Sequence, residues 1–507
     1  MSKGGRRLGA TLAVIAALGA NTAQADWAQT MGIGQKSTNL GGAVTATSDD
    51  YDAFYTNPAG AANFDGPFIG FGIKTFDTRG VSVKQTDVNS DFSAAFPGGE
   101  GLDISPGKTL PGESVGLVPS AGAYMPVPGM ENLVIGLGQG VPFLVSGNFK
   151  NDNATGNYGK FDTTDAALIV VELAPTLALK VNDQLNVGAS VGVTTFKYFK
   201  VANAIGVSLS PGGTPLLGLG SVELETNSDI GLPVAPWEFA TSPTSVSFTL
   251  GAQYKILPNV TLGATYRSET PETFEGTAKA SFLDGTVTAQ DRFRYEVELP
   301  RHLQVGMAVD VTPQWKVMTD VRWTNWSDAK GFGSPTVIKF AEGTITPGAN
   351  IPGAQTITAN YEAQDTFSIH LGTAYKLTPN LELQAGYVYD PAFMPKATVD
   401  LITFSSDRHI FSLGGTYTKP TDAGEWAFTL GGQLALYEDL HVGAGESSTA
   451  GGIVVPIFEA DNPNLKFQPN SAGGFDFGGY VWSVGASVSY KFGSTHAALE
   501  PTDEPLK

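Results

Sequence analysis

Apolar and polar residues alternate with a period of two along most of the chain from Phe68 onward. The clearest stretch runs from Arg292 to Leu299, where every second residue is apolar and the residues between are charged. Val246 to Leu250 repeats the pattern, and the last stretch places these apolar residues on one face: Tyr480, Trp482, Val484, Ala486, Val488, Tyr490 and Phe492. Because successive side chains of a β-strand point to opposite faces, the pattern predicts strands with one apolar face.

The predicted strands number about 14, and their connections alternate between short and long. The strands begin near residues 68, 116, 132, 165, 185, 244, 259, 290, 315, 360, 381, 405, 424 and 478. Short turns lie near residues 128–130, 182–184, 257–259, 312–314, 378–380 and 421–424. Longer connections lie near residues 80–115, 149–164, 201–243, 328–359, 391–407 and 441–477, whereas the one near 281–290 is short.

Short turns at one rim and long loops at the other are typical of outer-membrane β-barrels. A soluble β-sandwich or β-solenoid also alternates, but neither explains this regular exchange of turn lengths. We therefore expect an all-β transmembrane fold, an antiparallel outer-membrane β-barrel of about 14 strands, over residues 65–492. We expect residues 493–507 to form a C-terminal tail beyond the last predicted strand.

The first 25 residues have the features of a secretory signal peptide. A basic start is followed by an apolar run from Leu8 to Ala20 and by the small-residue cleavage site Ala23-Gln24-Ala25. The exported chain contains no cysteine, so no disulfide framework is available to it. These features predict export to the cell outer membrane.

Residues 26–64 show no strand alternation and end in the sequence Asn57-Pro58-Ala59-Gly60. Proline has a fixed φ and no N–H, and it disfavours the helical conformation of the residue before it. The sequence therefore predicts a compact bend that cannot join a sheet. Because a barrel of this size encloses more space than its own side chains fill, we expect residues 26–64 to form a hatch that plugs it.

Charge and residue spacing argue against several other classes of protein. The formal net charge is −19, which disfavours nucleic-acid binding because phosphate contacts need clustered Lys and Arg. The five histidines lack metal-ligand spacing, and no Gly-x-Ser-x-Gly elbow is present. We therefore expect no metal, no cofactor and no enzymatic activity.

Several motifs, in order along most of the mature chain, resemble the FadL family of outer-membrane transporters, including its TodX branch. They are Leu40-Gly41-Gly42-Ala43 with Asp49 to Gly60; Tyr266 to Glu269 with Phe274 to Gly276; Leu299 to Ser327; and Tyr387 to Pro395 with Asp407 to Gly414. The resemblance implies a barrel of 14 strands plugged by an N-terminal hatch that moves on ligand binding. It also implies that outer loops capture a hydrophobic ligand, which leaves sideways where the third strand is kinked.

The third predicted strand contains Gly136, Gly138, Gly140 and Pro142. Glycine weakens a strand ladder and proline cannot donate to it, so this stretch is the candidate for a lateral opening. A plain β-bulge is the alternative interpretation. The position matches the kinked strand of the family that the chain resembles.

Two further groups are candidate ligand contacts. The predicted outer loop 201–243 is unusually apolar, and its residues Leu216, Leu217, Leu219, Trp237 and Phe239 are candidates for first capture. The alternative is that this loop folds over the barrel mouth and buries itself. Cations inside the barrel suit a carboxylate headgroup, and the candidates are Lys197, Lys200, Arg267 and Arg294.

Together these features predict passive outer-membrane transport of long-chain fatty acids or other hydrophobic compounds, with lateral release into the membrane. The main alternative is a TodX-like channel for aromatic or alkane hydrocarbons. A barrel lipid hydrolase, an adhesin and a general porin are further alternatives. The expected partners are hydrophobic small molecules, outer-membrane lipid and lipopolysaccharide, and we expect a monomer.

Overall fold

The computed structural model describes residues 32–88, 109–111, 115–148, 163–209, 216–226, 245–282, 287–342, 356–359, 361–399, 405–443, 446, 453–454 and 473–493. The predicted signal peptide, residues 1–25, lies outside these ranges, as does the predicted tail after residue 493. Among the described residues, no helix is both long enough and apolar enough to cross a bilayer.

Within the described ranges the chain forms two short α-helices, one 3₁₀-helix and a long series of β-strands. The helices are α1 (Gln35–Asn39), α2 (Ala53–Thr56) and the 3₁₀-helix η1 (Pro58–Asn63). The strands are β1 (Phe68–Asp77), β2 (Val81–Val88), β3 (Thr109–Pro111), β4 (Val115–Val127), β5 (Met130–Asn148), β6 (Thr163–Lys180), β7 (Leu185–Leu209), β8 (Leu216–Thr226), β9 (Val246–Leu257), β10 (Val260–Arg267), β11 (Thr270–Phe282), β12 (Val287–Leu299), β13 (His302–Asp310), β14 (Trp315–Thr324), β15 (Thr336–Phe340), β16 (Thr356–Ala359), β17 (Thr366–Thr378), β18 (Leu381–Asp390), β19 (Arg408–Thr421), β20 (Gly424–Val442), β21 (Ile453–Val454) and β22 (Gly473–Phe492).

A closed 14-stranded antiparallel barrel is built from the strands that meet at the short turns. In order around the wall they are β1, β4, β5, β6, β7, β9, β10, β13, β14, β17, β18, β19, β20 and β22. The wall closes where β1 pairs with β22, from Phe68 opposite Lys491 to Asp77 opposite Trp482. Closure provides hydrogen-bond partners for backbone N–H and C=O groups, which lipid cannot supply. The closed wall confirms the predicted barrel.

The remaining strands extend the wall beyond the rim that carries the long connections. β11 pairs with β12, β12 pairs with β15, and β2 pairs with β22. β8 pairs with both β7 and β11. Residues 201–209 and 216–226, which the sequence analysis assigned to an outer loop, are therefore strand in this extension.

In the lower wall, near the short turns, apolar side chains face outward and polar side chains face inward. β17 shows the pattern clearly: Phe367 and Ile369 are exposed on the outside, whereas Ser368 and His370 are buried on the inside. An outward apolar band with a polar interior is the arrangement that a bilayer selects.

The pattern is inverted in the outer extension. On β12 the apolar Phe293, Tyr295 and Val297 are buried, and the charged residues that alternate with them are on the exposed face. On β13, which follows directly, His302 is buried and Leu303 is exposed. The inversion between Leu299 and His302 marks where the surroundings of the wall change from lipid to water, because only water solvates outward charges.

The segment from Gly32 to Phe64 lies inside the lower barrel and contacts strands on opposite sides of it. Asn39 is fully buried, and its Nδ2 donates to Gln384 Oε1 on β18 at 2.9 Å and to the Leu430 carbonyl on β20 at 3.2 Å. Thr45 N donates to Asp320 Oδ2 on β14 at 3.0 Å. Tyr124 Oη on β4 donates to the Tyr51 carbonyl at 3.0 Å.

Glycines in the wall make room for this segment. A Cβ added to Gly431 on β20 would lie 1.9 Å from Asn39 Oδ1. Asn39 therefore fits against this strand only because position 431 has no side chain. We therefore expect Gly431→Ala to weaken the docking of residues 32–64 by about 1–3 kcal/mol, a typical cost of overpacking. Hydrogen–deuterium exchange of residues 32–64 in the folded barrel measures the effect.

The control for that substitution is Gly432→Ala on the same strand, where the added Cβ faces away from Asn39 and lies 3.0 Å from the Ser483 carbonyl. We expect this variant to leave the exchange of residues 32–64 close to that of the parent chain. Equal protection of the segment in both variants would contradict the proposed packing role of Gly431.

Candidate functional site

Asn57-Pro58-Ala59-Gly60 forms a buried turn near the C-terminal end of the enclosed segment. Asn57 caps η1 by accepting the Ala59 N–H at 3.1 Å, and Pro58 occupies the first turn of that helix, where its missing N–H costs nothing. Asn57 Nδ2 donates to the Thr45 carbonyl at 2.7 Å and to the Ala252 carbonyl of β9 at 3.1 Å. A Cβ on Gly60 would lie 1.9 Å from the Ser48 carbonyl, which explains the glycine.

Two buried carboxyl groups lie in the same segment. Ser37 Oγ donates to Asp52, and Lys36 Nζ lies 2.8 Å from Asp49 Oδ1 at the edge of the segment. Burial raises the pKa of Asp52, and the nearby Asp50 raises it further. Burial also raises the pKa of Asp50, partly offset by the charge of Lys36. Burial in the enclosed segment therefore shifts the pKa of both carboxyl groups upward.

An apolar lining lies above this segment, inside the outer extension. One cluster of buried apolar side chains includes Phe143 and Val170 on β5 and β6, and Phe274 on β11. It continues around the wall through Phe293, Tyr295, Trp326, Phe332, Ile338, Phe393, Ile410, Tyr437 and Phe477. Trp326 and Phe393 are stacked with ring centroids 4.3 Å apart. The interior is thus polar near the short turns and apolar near the long loops.

An ion pair between Arg267 and Glu172 lies where the apolar lining meets the enclosed segment. Arg267 Nη1 donates to Glu172 Oε1 at 3.2 Å, and Nη2 donates to Glu172 Oε2. The guanidinium also lies 5.0 Å from the ring centre of Tyr55, in the enclosed segment. Both charged side chains are almost fully buried. Arg267 thus faces inward, as expected, and its charge is matched by a carboxylate.

A second ion pair joins Lys197 on β7 to Glu272 on β11. Lys197 Nζ lies 3.4 Å from Glu272 Oε2 and 5.8 Å from the centre of the Phe274 ring. Glu272 also accepts hydrogen bonds from Thr194 Oγ1 at 2.7 Å and from Ser245 Oγ at 2.9 Å. Burial raises the pKa of Glu272, which lies beyond the membrane-spanning strands. The inward cation predicted at Lys197 is therefore present and matched.

The ladder between β4 and β5 stops part of the way up the wall. Its described register runs from Val127 opposite Met130 to Ala121 opposite Gln139. Above that point β4 still pairs with β1 up to Val115, and β5 still pairs with β6 up to Asn148. Among the described residues, the two strands thus separate at the level of Gly140 and Pro142, the stretch predicted as a candidate opening.

Gly136 and Gly138 have a different role from the one that the sequence suggested. Both keep ladder partners on each side, so the strand is intact at these positions. A Cβ on Gly136 would lie 2.1 Å from the Tyr124 ring, and one on Gly138 would lie 2.0 Å from the Phe54 ring. These glycines make room for aromatic side chains inside the barrel.

The expectation that Arg294 points inward is wrong. Its side chain is 46 % exposed and pairs with Glu275 and Glu296 on the outer face of β11 and β12. The alternation was correctly identified, but β12 lies above the membrane, where the apolar face turns inward. Arg294 is therefore not a contact for a ligand inside the barrel.

Of the other predicted site residues, two lie outside the described residues and four lie on described strands. Trp237 and Phe239 are not among the described residues. Leu216, Leu217 and Leu219 lie on strand β8, and Lys200 lies on β7 opposite Glu225 of β8. Their role in ligand contact stays a prediction.

Sequence reasoning missed the acidic partners of the inward cations. Glu172 and Arg267 are 95 residues apart, and no local pattern connects them. A signal was present in the composition of β6, because Glu172 is the one charged residue in the otherwise apolar run from Ala166 to Ala174. Within the described ranges, no group of three or more His, Asp or Glu side chains is arranged to hold a metal ion.

Comparison with known proteins places these features in a family. The family described as "Outer membrane protein transport protein (OMPP1/FadL/TodX)" matches residues 13–424. The chain is 24% identical to a long-chain fatty acid transport protein of Escherichia coli O6:H1, over 54% of this chain and 60% of that protein, less than two thirds of its length. It is 23% identical to outer membrane protein P1 of Haemophilus influenzae, over 82% of this chain and 87% of that protein.

Solved structures show the same fold. A FadL homologue from Pseudomonas aeruginosa matches with a TM-score of 0.68 and 17% identity, over 92% of this chain and 99% of that one. The toluene transporter TodX of P. putida matches with a TM-score of 0.57 and 17% identity, over 92% of this chain and 100% of that one. The chain belongs to the OMPP1/FadL/TodX family of outer membrane transport proteins.

Proposed function

We propose that this protein moves hydrophobic compounds, either long-chain fatty acids or hydrocarbons, passively from outside the cell into the outer membrane. The apolar lining of the outer extension carries the proposal. Its aromatic and aliphatic side chains face inward at the rim with long connections, which is the outer side of such barrels. A solute entering there exchanges water for apolar contacts.

We infer that the solute leaves sideways rather than along the barrel axis. The segment from Gly32 to Phe64 occupies the lower interior, with Tyr51, Ala53 and Ala59 fully buried, so it acts as the predicted hatch. The separation of β4 and β5 above Gln139 lies beside the bottom of the apolar lining. Lateral exit delivers the solute to lipid, where its free energy is low, and requires no energy source.

We infer a transporter rather than an enzyme, because the relatives are named for transport and the proposed path requires no covalent step. Membrane lipid, on this proposal, receives the solute. One chain closes its own wall, so the path is complete in a monomer.

A cross-link between β4 and β5 tests the lateral exit. The chain has no cysteine, so introduced pairs can be joined selectively. Continuing the register of Ala121 opposite Gln139 places Pro119 opposite Val141, at the separated level. We expect cells carrying Pro119→Cys with Val141→Cys to take up labelled oleate or toluene at least about tenfold more slowly after joining by a cleavable bis-thiol reagent. Reductant should restore the rate.

The matched control joins Ala121→Cys to Gln139→Cys, two pairs lower, where the strands are already paired. Cross-linking there should leave uptake unchanged. If the upper cross-link forms and uptake continues at the parent rate, the solute does not leave between β4 and β5.

Removal of residues 26–64 tests the hatch. Without this segment the polar lower interior is open from rim to rim, so we expect an inserted barrel that conducts ions. Single-channel recordings in planar bilayers measure this conductance, with the full mature chain as the control. Heat-modifiable gel mobility shows whether the barrel without residues 26–64 is folded. A folded barrel that does not conduct would show that the segment does not seal the lumen.

A further inference from the structure

Three inward cations beside the apolar lining, Arg267, Lys197 and Arg408, are each matched by a carboxylate of the chain itself. We propose that this transporter is selective for uncharged hydrophobic molecules and disfavours those that carry a carboxylate headgroup. The inference rests on the proposed function and names the class of solute that the same interior accepts. Its basis is the charge arrangement at Arg267, Lys197 and Arg408.

The guanidinium of Arg267 is already bound by Glu172, at the place where a ligand carboxylate would bind. Both terminal nitrogens of the guanidinium donate to this carboxylate, and they also donate to Thr249 Oγ1 at 3.3 Å and to Ser247 Oγ at 3.0 Å. The side chains of Arg267 and Glu172 are only 5% and 2% exposed. A ligand carboxylate arriving here would lie next to Glu172 in a poorly hydrated site, and like charges in such a site repel strongly.

At Lys197 both the cation and the neighbouring hydroxyl groups are engaged by Glu272. Thr194 and Ser245 donate to this carboxylate, so the uncharged donors that a ligand headgroup would need already have an acceptor. Glu272 is completely buried. Removing a buried pair partner leaves an uncompensated charge, so a ligand cannot displace Glu272 without that cost.

Higher in the lining, Arg408 is matched by Asp390. Arg408 Nε donates to Asp390 Oδ2 at 2.8 Å, and its Nη2 also contacts that oxygen. The Arg408 side chain is 3% exposed and the Asp390 side chain 15%, next to Tyr437 and Ile410 of the apolar lining. None of these three matched pairs presents a net positive charge with which to attract an anion.

A neutral solute has no such conflict. It contacts the apolar side chains of the lining and leaves the ion pairs intact, because it neither needs their donors nor repels their acceptors. At these three pairs a carboxylate must instead lose its hydration without gaining an unmatched cation. The same apolar surface therefore separates two solutes of equal chain length by charge alone.

Uptake of a matched pair of solutes tests the inference. Labelled hexadecane and hexadecanoate share one chain length and differ in the carboxylate. We expect cells that lack their own transporter and express the full chain to gain hexadecane uptake at least about tenfold more than hexadecanoate uptake, over cells without it. Equal gains, or a larger gain for hexadecanoate, would overturn the inference by themselves.

Two substitutions test the physical cause. Glu172→Gln and, separately, Glu272→Gln remove one negative charge each while keeping the side-chain shape, which leaves Arg267 or Lys197 with an uncharged neighbour. Each should raise the ratio of hexadecanoate to hexadecane uptake by about tenfold. The control is Glu275→Gln, which lies on the same strand as Glu272 but faces outward and pairs with Arg294. It should leave the ratio unchanged.

The outcomes separate the two levels of the proposal. If the Glu172→Gln and Glu272→Gln barrels both fold and the ratio of hexadecanoate to hexadecane uptake is unchanged in each, the ion pairs do not set selectivity. If neither solute enters cells whose membranes contain the folded protein, the transport function fails, and the selectivity inference fails with it. If hexadecanoate alone enters, transport stands and the selectivity inference is wrong.

Discussion

The medium outside the barrel wall changes from lipid to water along each hairpin, and the arrangement of the interior depends on this change. In lipid the wall must present apolar side chains outward, which leaves the polar face of each strand inside. In water the same alternation is inverted, so the apolar face turns inward. The change is abrupt between Leu299 and His302, where β12 ends and β13 begins.

The two levels of the interior are filled differently as a result. The lower interior carries hydroxyl, amide and charged groups, which need hydrogen-bond partners when they are buried. The segment from Gly32 to Phe64 supplies them through Asn39, Thr45 and Asn57. The outer interior carries aromatic and aliphatic groups that need only apolar contact. A polar enclosed segment and an apolar lining therefore follow from one constraint on the wall.

Much of the fold could be predicted from the sequence because strand alternation and turn length are local properties. The barrel, its strand number and the breaker sequence at Asn57-Pro58 were accessible in this way. A period-two pattern does not, however, say which face is inside. This is why Arg294 was placed wrongly: its strand alternates clearly but lies above the membrane. The assignment of the stretch near 201–226 to a loop failed because β7 continues well beyond the barrel rim.

The interior contacts could not be predicted because they join residues that are distant along the chain. Arg267 and Glu172 come from β10 and β6, and the pairing depends on the barrel closing around both. The inward position of Arg267 follows from alternation, but whether its charge is free or matched does not. The glycines at 136 and 138 present a similar case, because the aromatic rings that they accommodate lie on other segments.

The position of the matched ion pairs relative to the separation of β4 and β5 supports the lateral direction of the proposed path. Glu172 on β6 lies opposite Gly140 on β5, at the level where β5 separates from β4. A solute at this level has the apolar lining above it, buried ion pairs and the enclosed segment below it, and lipid beside it. The ion pairs offer an uncharged solute no favourable contact, and the enclosed segment excludes it by packing. On the proposed path its free energy therefore falls as it passes through the wall and into the membrane.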